Sequence, residues 1–290
     1  MDKKPSWIKK KISLDNSNIF QVKKLIDSSR LHTVCQSAKC PNIFECFSRK
    51  TSTFMLMGDI CTRNCAFCGV RNGKPGSLED DEPEKIAKAV KEMGLHYVVI
   101  TSVTRDDLVD GGAGHFFDTV QAIEKYNPDI RIECLVPDLG GDILNLEKLL
   151  ECSLDVLNHN METVREKYPI VRKNADYDLS LSLLADAKKI RPEIYTKSGF
   201  MLGLGERIEE VSRLLRDLKK NNVDIITIGQ YLQPSADNIE VTKYYTLGEF
   251  EDIRNTAEAM GFLVTEAGPF VRSSYCAEKV LEKALGKKEK

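Results

Sequence analysis

The sequence predicts an α/β fold, a partial parallel (β/α)6 TIM-like barrel with an extension at each chain end. Three observations predict it. Compact apolar runs alternate with helix-length amphipathic segments along most of the chain. The runs are apolar almost throughout rather than alternating, as in parallel strands covered on both faces. At 290 residues, 42% hydrophobic and 30% charged, the chain is long enough to bury one large core. A doubly wound open sheet fits the same cadence. In either arrangement ligands gather at the carboxyl ends of the strands.

Taken in order, residues 1–16 are basic and read as an extended leader draped over the body. Ile19, Phe20, Val22, Leu25 and Ile26 place an amphipathic helix within 18–32. The next segment carries Cys35, Cys40, Pro41 and Cys46 without periodicity and reads as a loop with a turn of helix. Residues 53–57 (TFMLM) form the first strand. Pro83 opens a helix that Gly94 closes. Strands follow at 96–100, 130–136, 154–157, 194–202 and 224–228, with a possible seventh at 262–265. Helices fall at 114–125, 143–150, 180–190, 208–220 and 247–260, with a further helical stretch at 162–168. This divides the chain into an N-terminal extension (1–50), the barrel (51–265) and a C-terminal extension (266–290). There is no internal repeat beyond the βα cadence and no low-complexity tract.

A net charge of −2 argues against a nucleic-acid binder that relies on a basic field. The basic stretches at 3–11 and 287–290 read as solvated ends. No apolar run approaches the ~20 residues that span a bilayer. The N-terminus lacks the apolar core of a signal peptide. A cytoplasmic location is therefore expected, with no membrane or nucleic-acid partner. There the nine cysteines stay reduced, which favours thiolate–metal chemistry over disulfides.

Six of those cysteines lie between positions 35 and 68, as Cys35-x4-Cys40-x5-Cys46 and Cys61-x3-Cys65-x2-Cys68. Each triplet is one ligand short of a tetrahedral zinc site or a fully cysteine-held cluster. The histidine nearest the second triplet is His96, beyond the next helix. Three thiolates on a [4Fe-4S] cluster would leave one iron open to a ligand. Phe67, just before the last cysteine, can shield the cluster or stack on that ligand. Cys134 and Cys152 read as buried thiols, and His32, His96 and His115 as structural or exposed. Gly203-Leu204-Gly205 is no dinucleotide fingerprint, since Ile208 stands where its third glycine belongs.

The CxxxCxxC pattern after the first strand, with its aromatic residue, resembles the radical S-adenosylmethionine enzymes. In that family the open iron binds S-adenosylmethionine, and an electron from the cluster cleaves it to a 5′-deoxyadenosyl radical. The resemblance implies cofactor contacts at strand ends: Phe67, Thr101, Ser102, Asn158, Asn160, Glu162, Lys197, Met201 and Gly203. The segment 199–206 (GFMLGLGE) looks like the Gly-rich stretch along the adenine. Thr101-Ser102 departs from the Gly-Gly-Glu that many members carry. His159 is a further candidate at the fourth strand end.

Within that superfamily the first triplet and Arg272-Ser273-Ser274-Tyr275 resemble the lipoyl synthases. So do TSVTRDDLVDGGA (101–113), NHNMETV (158–164), KSGFMLGLGE (197–206) and QYLQPS (230–235), so that the likeness runs from about residue 30 to 276. It implies a second [4Fe-4S] cluster on Cys35, Cys40 and Cys46, with Ser274 as fourth ligand and Ser273 or Cys276 as its rivals. A serine oxygen is a hard ligand beside soft thiolates and leaves more readily. Arg272 is expected to gate Ser274 or pair with a carboxylate. The implied reaction inserts two sulfur atoms, drawn from the second cluster, at C6 and C8 of an octanoyl-lysine. The implied partners are the lipoyl domains of 2-oxoacid dehydrogenase E2 subunits and the glycine cleavage H protein. A ferredoxin- or flavodoxin-type reductant and an iron–sulfur carrier complete the set. Arg105, Asp106, Asp107 and Asp110 are expected at the barrel mouth. The alternatives are another radical S-adenosylmethionine enzyme with an auxiliary cluster, a two-cluster electron carrier and a zinc-binding module.

Overall fold

A computed structural model describes residues 5–10 and 17–288. Most of the leader expected at 1–16, and the last two residues, Glu289 and Lys290, lie outside the described residues. Seven strands form one parallel sheet in chain order: β1 (Thr53–Leu56), β2 (Tyr97–Ser102), β3 (Arg131–Leu135), β4 (Val156–Asn158), β5 (Tyr195–Leu202), β6 (Ile225–Gln230) and β7 (Val264–Gly268). β1 and β7 are the sheet edges, so the barrel is partial. The possible seventh strand is present, pairing Ile225 with Val264 and Gly229 with Gly268.

The helices form where the sequence places them, and their ends have local causes. In the helix Glu82–Met93, Ile86, Ala87, Val90 and Met93 turn inward, and Gly94 ends it in the left-handed conformation (φ 65°). The helix Leu247–Ala259 starts from Thr246, whose hydroxyl accepts from Glu249 N while the Glu249 carboxylate accepts from Thr246 N. The helix Ile208–Lys220 buries Val211, Leu214, Leu215 and Leu218 and exposes its charged face.

Three segments differ from expectation. The first triplet is more helical than a loop with one turn of helix: Cys35 and Cys46 lie on two short helices, Val34–Ser37 and Ile43–Ser48, and Cys40 lies in the connection between them. The stretch at 162–168 is helical only at its end, through the turn Arg165–Lys167 and the short helix Tyr168–Val171. A C-terminal helix, Ala277–Lys288, was not foreseen. Its Ala277, Val280, Leu281 and Ala284 pack against Tyr97, Val156, Tyr195, Ile225 and Val264, the opening residues of five strands. The helix thus covers the amino-terminal end of the barrel. Val280 and Leu281 each gain roughly 1.5–3 kcal/mol from that burial. The functional opening is left at the carboxyl end.

Candidate active site

A cavity of about 560 Å³ occupies that carboxyl end. Cys35 and Cys40 stand on its wall together with Cys61, Cys65 and Cys68. Cys46 does not line it, but lies near enough to Cys35 and Cys40 for their charges to act on it. All nine cysteines are free.

The second triplet is held by a two-strand ribbon, Ile60–Cys61 against Arg71–Asn72, that follows β1. Cys61 Sγ accepts hydrogen bonds from Arg63 N (3.4 Å) and Thr104 N (3.3 Å), and Cys68 Sγ accepts from Val70 N (3.5 Å). Such N–H donors suit sulfur that carries negative charge. Arg63 straddles Asp106 (Nη2–Oδ1 2.7 Å) and Asp138 (Nη2–Oδ1 2.8 Å), which pins the loop to the ends of β2 and β3. Burial opposes the charge on Asp138, but Arg63 holds its carboxyl below the usual range. On the other side Asn238 Nδ2 donates to Cys68 O (2.8 Å).

Burial, reinforced by neighbouring thiols, pushes Cys46 and Cys68 up to about 12. Without metal these sulfurs stay protonated; iron reverses that balance by binding the thiolate. Among the described residues no three His, Cys, Asp or Glu side chains lie close enough to share a single metal ion. Three soft thiolate donors in each triplet, with sulfurs of the second triplet accepting backbone N–H bonds, are the donor type that an iron–sulfur cluster takes.

The two chain extensions meet beside the first triplet. Asn42 Nδ2 donates to Phe270 O (2.7 Å), Tyr275 Oη to Glu45 Oε1 (2.7 Å), and Arg49 Nη1 to Cys276 Sγ (3.4 Å). Lys10 pairs with Glu45 and donates to Asn42 Oδ1 (2.8 Å). Arg272, Ser273 and Ser274 all reach the cavity wall. The Ser273 hydroxyl is engaged by Asn158 and Asn160, whereas the Ser274 hydroxyl has no hydrogen-bond partner among the described residues. The Arg272 guanidinium donates to Val271 O (2.6 Å) and feels the charges of Cys40 and Glu162.

Of the cofactor residues expected from sequence, Phe67, Thr101, Ser102, Asn160, Glu162 and Met201 line the cavity. Glu162 accepts from Asn160 Nδ2 (3.1 Å), and burial pushes its carboxyl up against the pull of Arg172. Asn158, Lys197 and Gly203 do not line the cavity. Lys197 is 1% exposed and spends its charge on Glu133 (2.9 and 3.0 Å), which also accepts from Tyr97 Oη and Asn158 Nδ2. Gly203 N donates instead to Glu206 Oε1 (2.7 Å). The acidic segment after β2 is likewise structural: Arg105 is buried against Asp107 and Gly76 O, Asp106 holds Arg63, and Asp110 accepts from Gly112 N and Gly114 N at a helix start. None of the four lines the cavity.

Two wall residues carried no sequence signal, Arg172 and Thr227. Ser102 Oγ, His159 Nε2, Thr227 Oγ1 and Arg172 Nε are buried on this wall without partners. His159 Nδ1 must donate to Val136 O (2.8 Å), so its Nε2 presents a lone pair when the ring is neutral. Four such polar atoms, donors and acceptors together, suit a ligand with several polar groups such as S-adenosylmethionine.

The Radical SAM superfamily matches residues 55–218. The structure is similar to that of a methylornithine synthase (PylB), with a TM-score of 0.58 at 18% identity over 86% of this chain and 75% of that one. The chain is a radical S-adenosylmethionine enzyme, and as such uses S-adenosylmethionine and a [4Fe-4S] cluster. It is 50% identical to a lipoyl synthase of Caldicellulosiruptor saccharolyticus over 277 residues, 96% of this chain and 97% of the relative. A lipoyl synthase of Geobacillus kaustophilus is also 50% identical, over 97% of this chain and 95% of its own length. Within the radical enzymes, the chain belongs to the lipoyl synthases, which are sulfurtransferases. Among the described residues no helix is long and apolar enough to cross a membrane.

Proposed function

We propose that this enzyme inserts two sulfur atoms at C6 and C8 of an octanoyl chain carried on a lysine of a lipoyl domain. The observation that carries the reading is the meeting at one cavity of Cys61, Cys65 and Cys68 with Cys35 and Cys40 of the first triplet, and Ser274 on the same wall. Cys61, Cys65 and Cys68 would hold one [4Fe-4S] cluster; Cys35, Cys40, Cys46 and Ser274 would hold a second. Bound there, the clusters and S-adenosylmethionine supply a carbon-centred radical and sulfide, the chemistry that unactivated C–H bonds require.

The chain's own side chains position the reactants. Asn160, Glu162, Ser102 and Met201 take S-adenosylmethionine, with Phe67 and Thr101 beside it. Glu162 suits this because its backbone is stitched to β5, its N donating to Gly199 O and its O accepting from Met201 N. Val34, Met55, Val103, Val136 and Phe200 give the octanoyl chain an apolar wall that excludes water. Arg272 faces Cys40 and Glu162, and its fixed charge favours anionic sulfur there.

On this reading residues 1–50 and 266–290 are cluster-binding extensions of a barrel at 51–265. The substrates are lipoyl domains of 2-oxoacid dehydrogenase E2 subunits and the glycine cleavage H protein. A ferredoxin- or flavodoxin-type protein supplies electrons, an iron–sulfur carrier rebuilds the spent cluster, and the setting is cytoplasmic.

The test is to incubate the anaerobically reconstituted protein with S-adenosylmethionine, a reductant and an octanoylated lipoyl-domain peptide, then to weigh the peptide. A gain of two sulfurs, as dithiolane or dithiol, is expected. An unchanged mass alongside active cleavage of S-adenosylmethionine overturns the reading.

A further inference from the structure

Polar groups inside the barrel form a continuous chain that runs from Glu133 to Glu162. Tyr97 Oη and Lys197 Nζ donate to Glu133 (2.6 and 2.9 Å), and Asn158 Nδ2 donates to Glu133 Oε1 (2.7 Å). The same Asn158 amide donates to Ser273 Oγ (2.8 Å), and Ser273 Oγ donates on to Asn160 Oδ1 (2.8 Å). Asn160 Nδ2 closes the chain on Glu162 (3.1 Å). Ser273 is therefore gripped on both sides by asparagines at the end of β4, and Asn158 is anchored on a fully buried ion pair.

Two glycines make room for the grip. A Cβ on Gly199 would sit 2.9 Å from Asn160 Oδ1 and 3.4 Å from Ser273 Oγ, and one on Gly229 would run into Val271 O. The barrel wall has been cut back where the C-terminal segment enters. Ser274, the next residue, is left on the cavity wall with its hydroxyl unengaged among the described residues.

We infer that Asn158 and Asn160 are positioning residues for Ser274: by fixing Ser273 they hold the neighbouring hydroxyl against the first cysteine triplet. This rests on the proposed role of Ser274 as an iron ligand. A single serine oxygen is a weak partner for iron beside three thiolates. Its retention depends on how little its backbone moves, and Ser273 anchors one side of it as Tyr275, bonded to Glu45, anchors the other. The grip thus sets how readily iron leaves the first-triplet site.

The experiment uses the full chain with Cys61, Cys65 and Cys68 replaced by alanine, so that only first-triplet iron is read. Reconstituted protein is mixed anaerobically with a ferrous chelator and the rate of iron transfer is followed. Ser274→Ala transfers iron faster than the parent. Ser273→Ala and Asn158→Ala each accelerate transfer about tenfold, the effect of losing one buried hydrogen bond. Val211→Ala, which opens a core cavity in the helix Ile208–Lys220, lowers stability without changing the rate, so destabilisation alone does not mimic the grip. Ser273→Ala and Asn158→Ala transferring at the parental rate while Ser274→Ala is fast overturns the inference. A Ser274→Ala rate equal to the parent's removes the ligand role itself, and the inference with it.

Discussion

Replacing Lys197 separates an ion-pair role from a cofactor role. Its ammonium and the Glu133 carboxylate are 1% and 0% exposed and lie 2.9 Å apart. Lys197→Met removes the cation and leaves Glu133 charged in the barrel interior, which for a buried pair costs about 3–5 kcal/mol. Tyr97 Oη and Asn158 Nδ2 still donate to Glu133, so the lower end of that range applies. In a chain of this length that loss lowers the thermal midpoint by roughly 5 °C. Adding Glu133→Gln removes the unpaired charge and is expected to restore at least half of the loss. Circular dichroism of the metal-free proteins reads both midpoints. S-adenosylmethionine affinity of the reconstituted single variant, measured well below its midpoint, stays within about twofold of wild type, since Lys197 does not reach the cavity. A midpoint unchanged within about 1 °C together with a tenfold loss of affinity refutes the reasoning and returns Lys197 to the cofactor.

Three further outcomes follow from the same geometry. Burial and then the Arg172 guanidinium push His159 down to about 4. The unfolded chain binds the extra proton first, so this contribution is full above about pH 6.5 and is lost towards pH 4, roughly 3 kcal/mol in all. Thermal midpoints of metal-free His159→Gln across that window should fall less steeply than those of wild type; an identical slope rejects the assignment. Arg63→Ala strands the nearly buried Asp138 and frees the second-triplet loop. It should cost about 3 kcal/mol and lower the iron retained after desalting; full iron retention would show that the clamp is dispensable. Gly229→Ala forces the 271–272 segment off β6, and limited proteolysis should then cut near residue 271 where wild type resists.

The strands were legible because a continuous apolar run such as HYVVI has only one good environment, a sheet covered on both faces. Helix starts were legible where capping chemistry is local, as at Pro83. The helix Ala277–Lys288 was missed because its partners are strand openings between Tyr97 and Val264, which no window on the sequence brings together. Lys197 was expected at the cofactor only from the resemblance; the partner of its charge, Glu133, is 64 residues away and no local pattern marks it. The cysteine triplets stood out because their ligands are close in sequence. Arg172 and Thr227 reach the same wall only through tertiary packing, and nothing in their neighbours marks them. The charges of RDD were expected at the barrel mouth; Arg105 and Asp107 neutralise each other two positions apart, and neither lines the cavity.

The most direct measurement of the central claim follows the sulfur. Rebuild the protein with heavy-isotope sulfide, remove the excess, and react it with S-adenosylmethionine and octanoylated lipoyl domain in unlabelled buffer. Both sulfur atoms in the product should be heavy, and iron on Cys35, Cys40 and Cys46 should be lost in step with product. Light sulfur in the product, or product formed by a chain with those three cysteines replaced by alanine, would contradict the account.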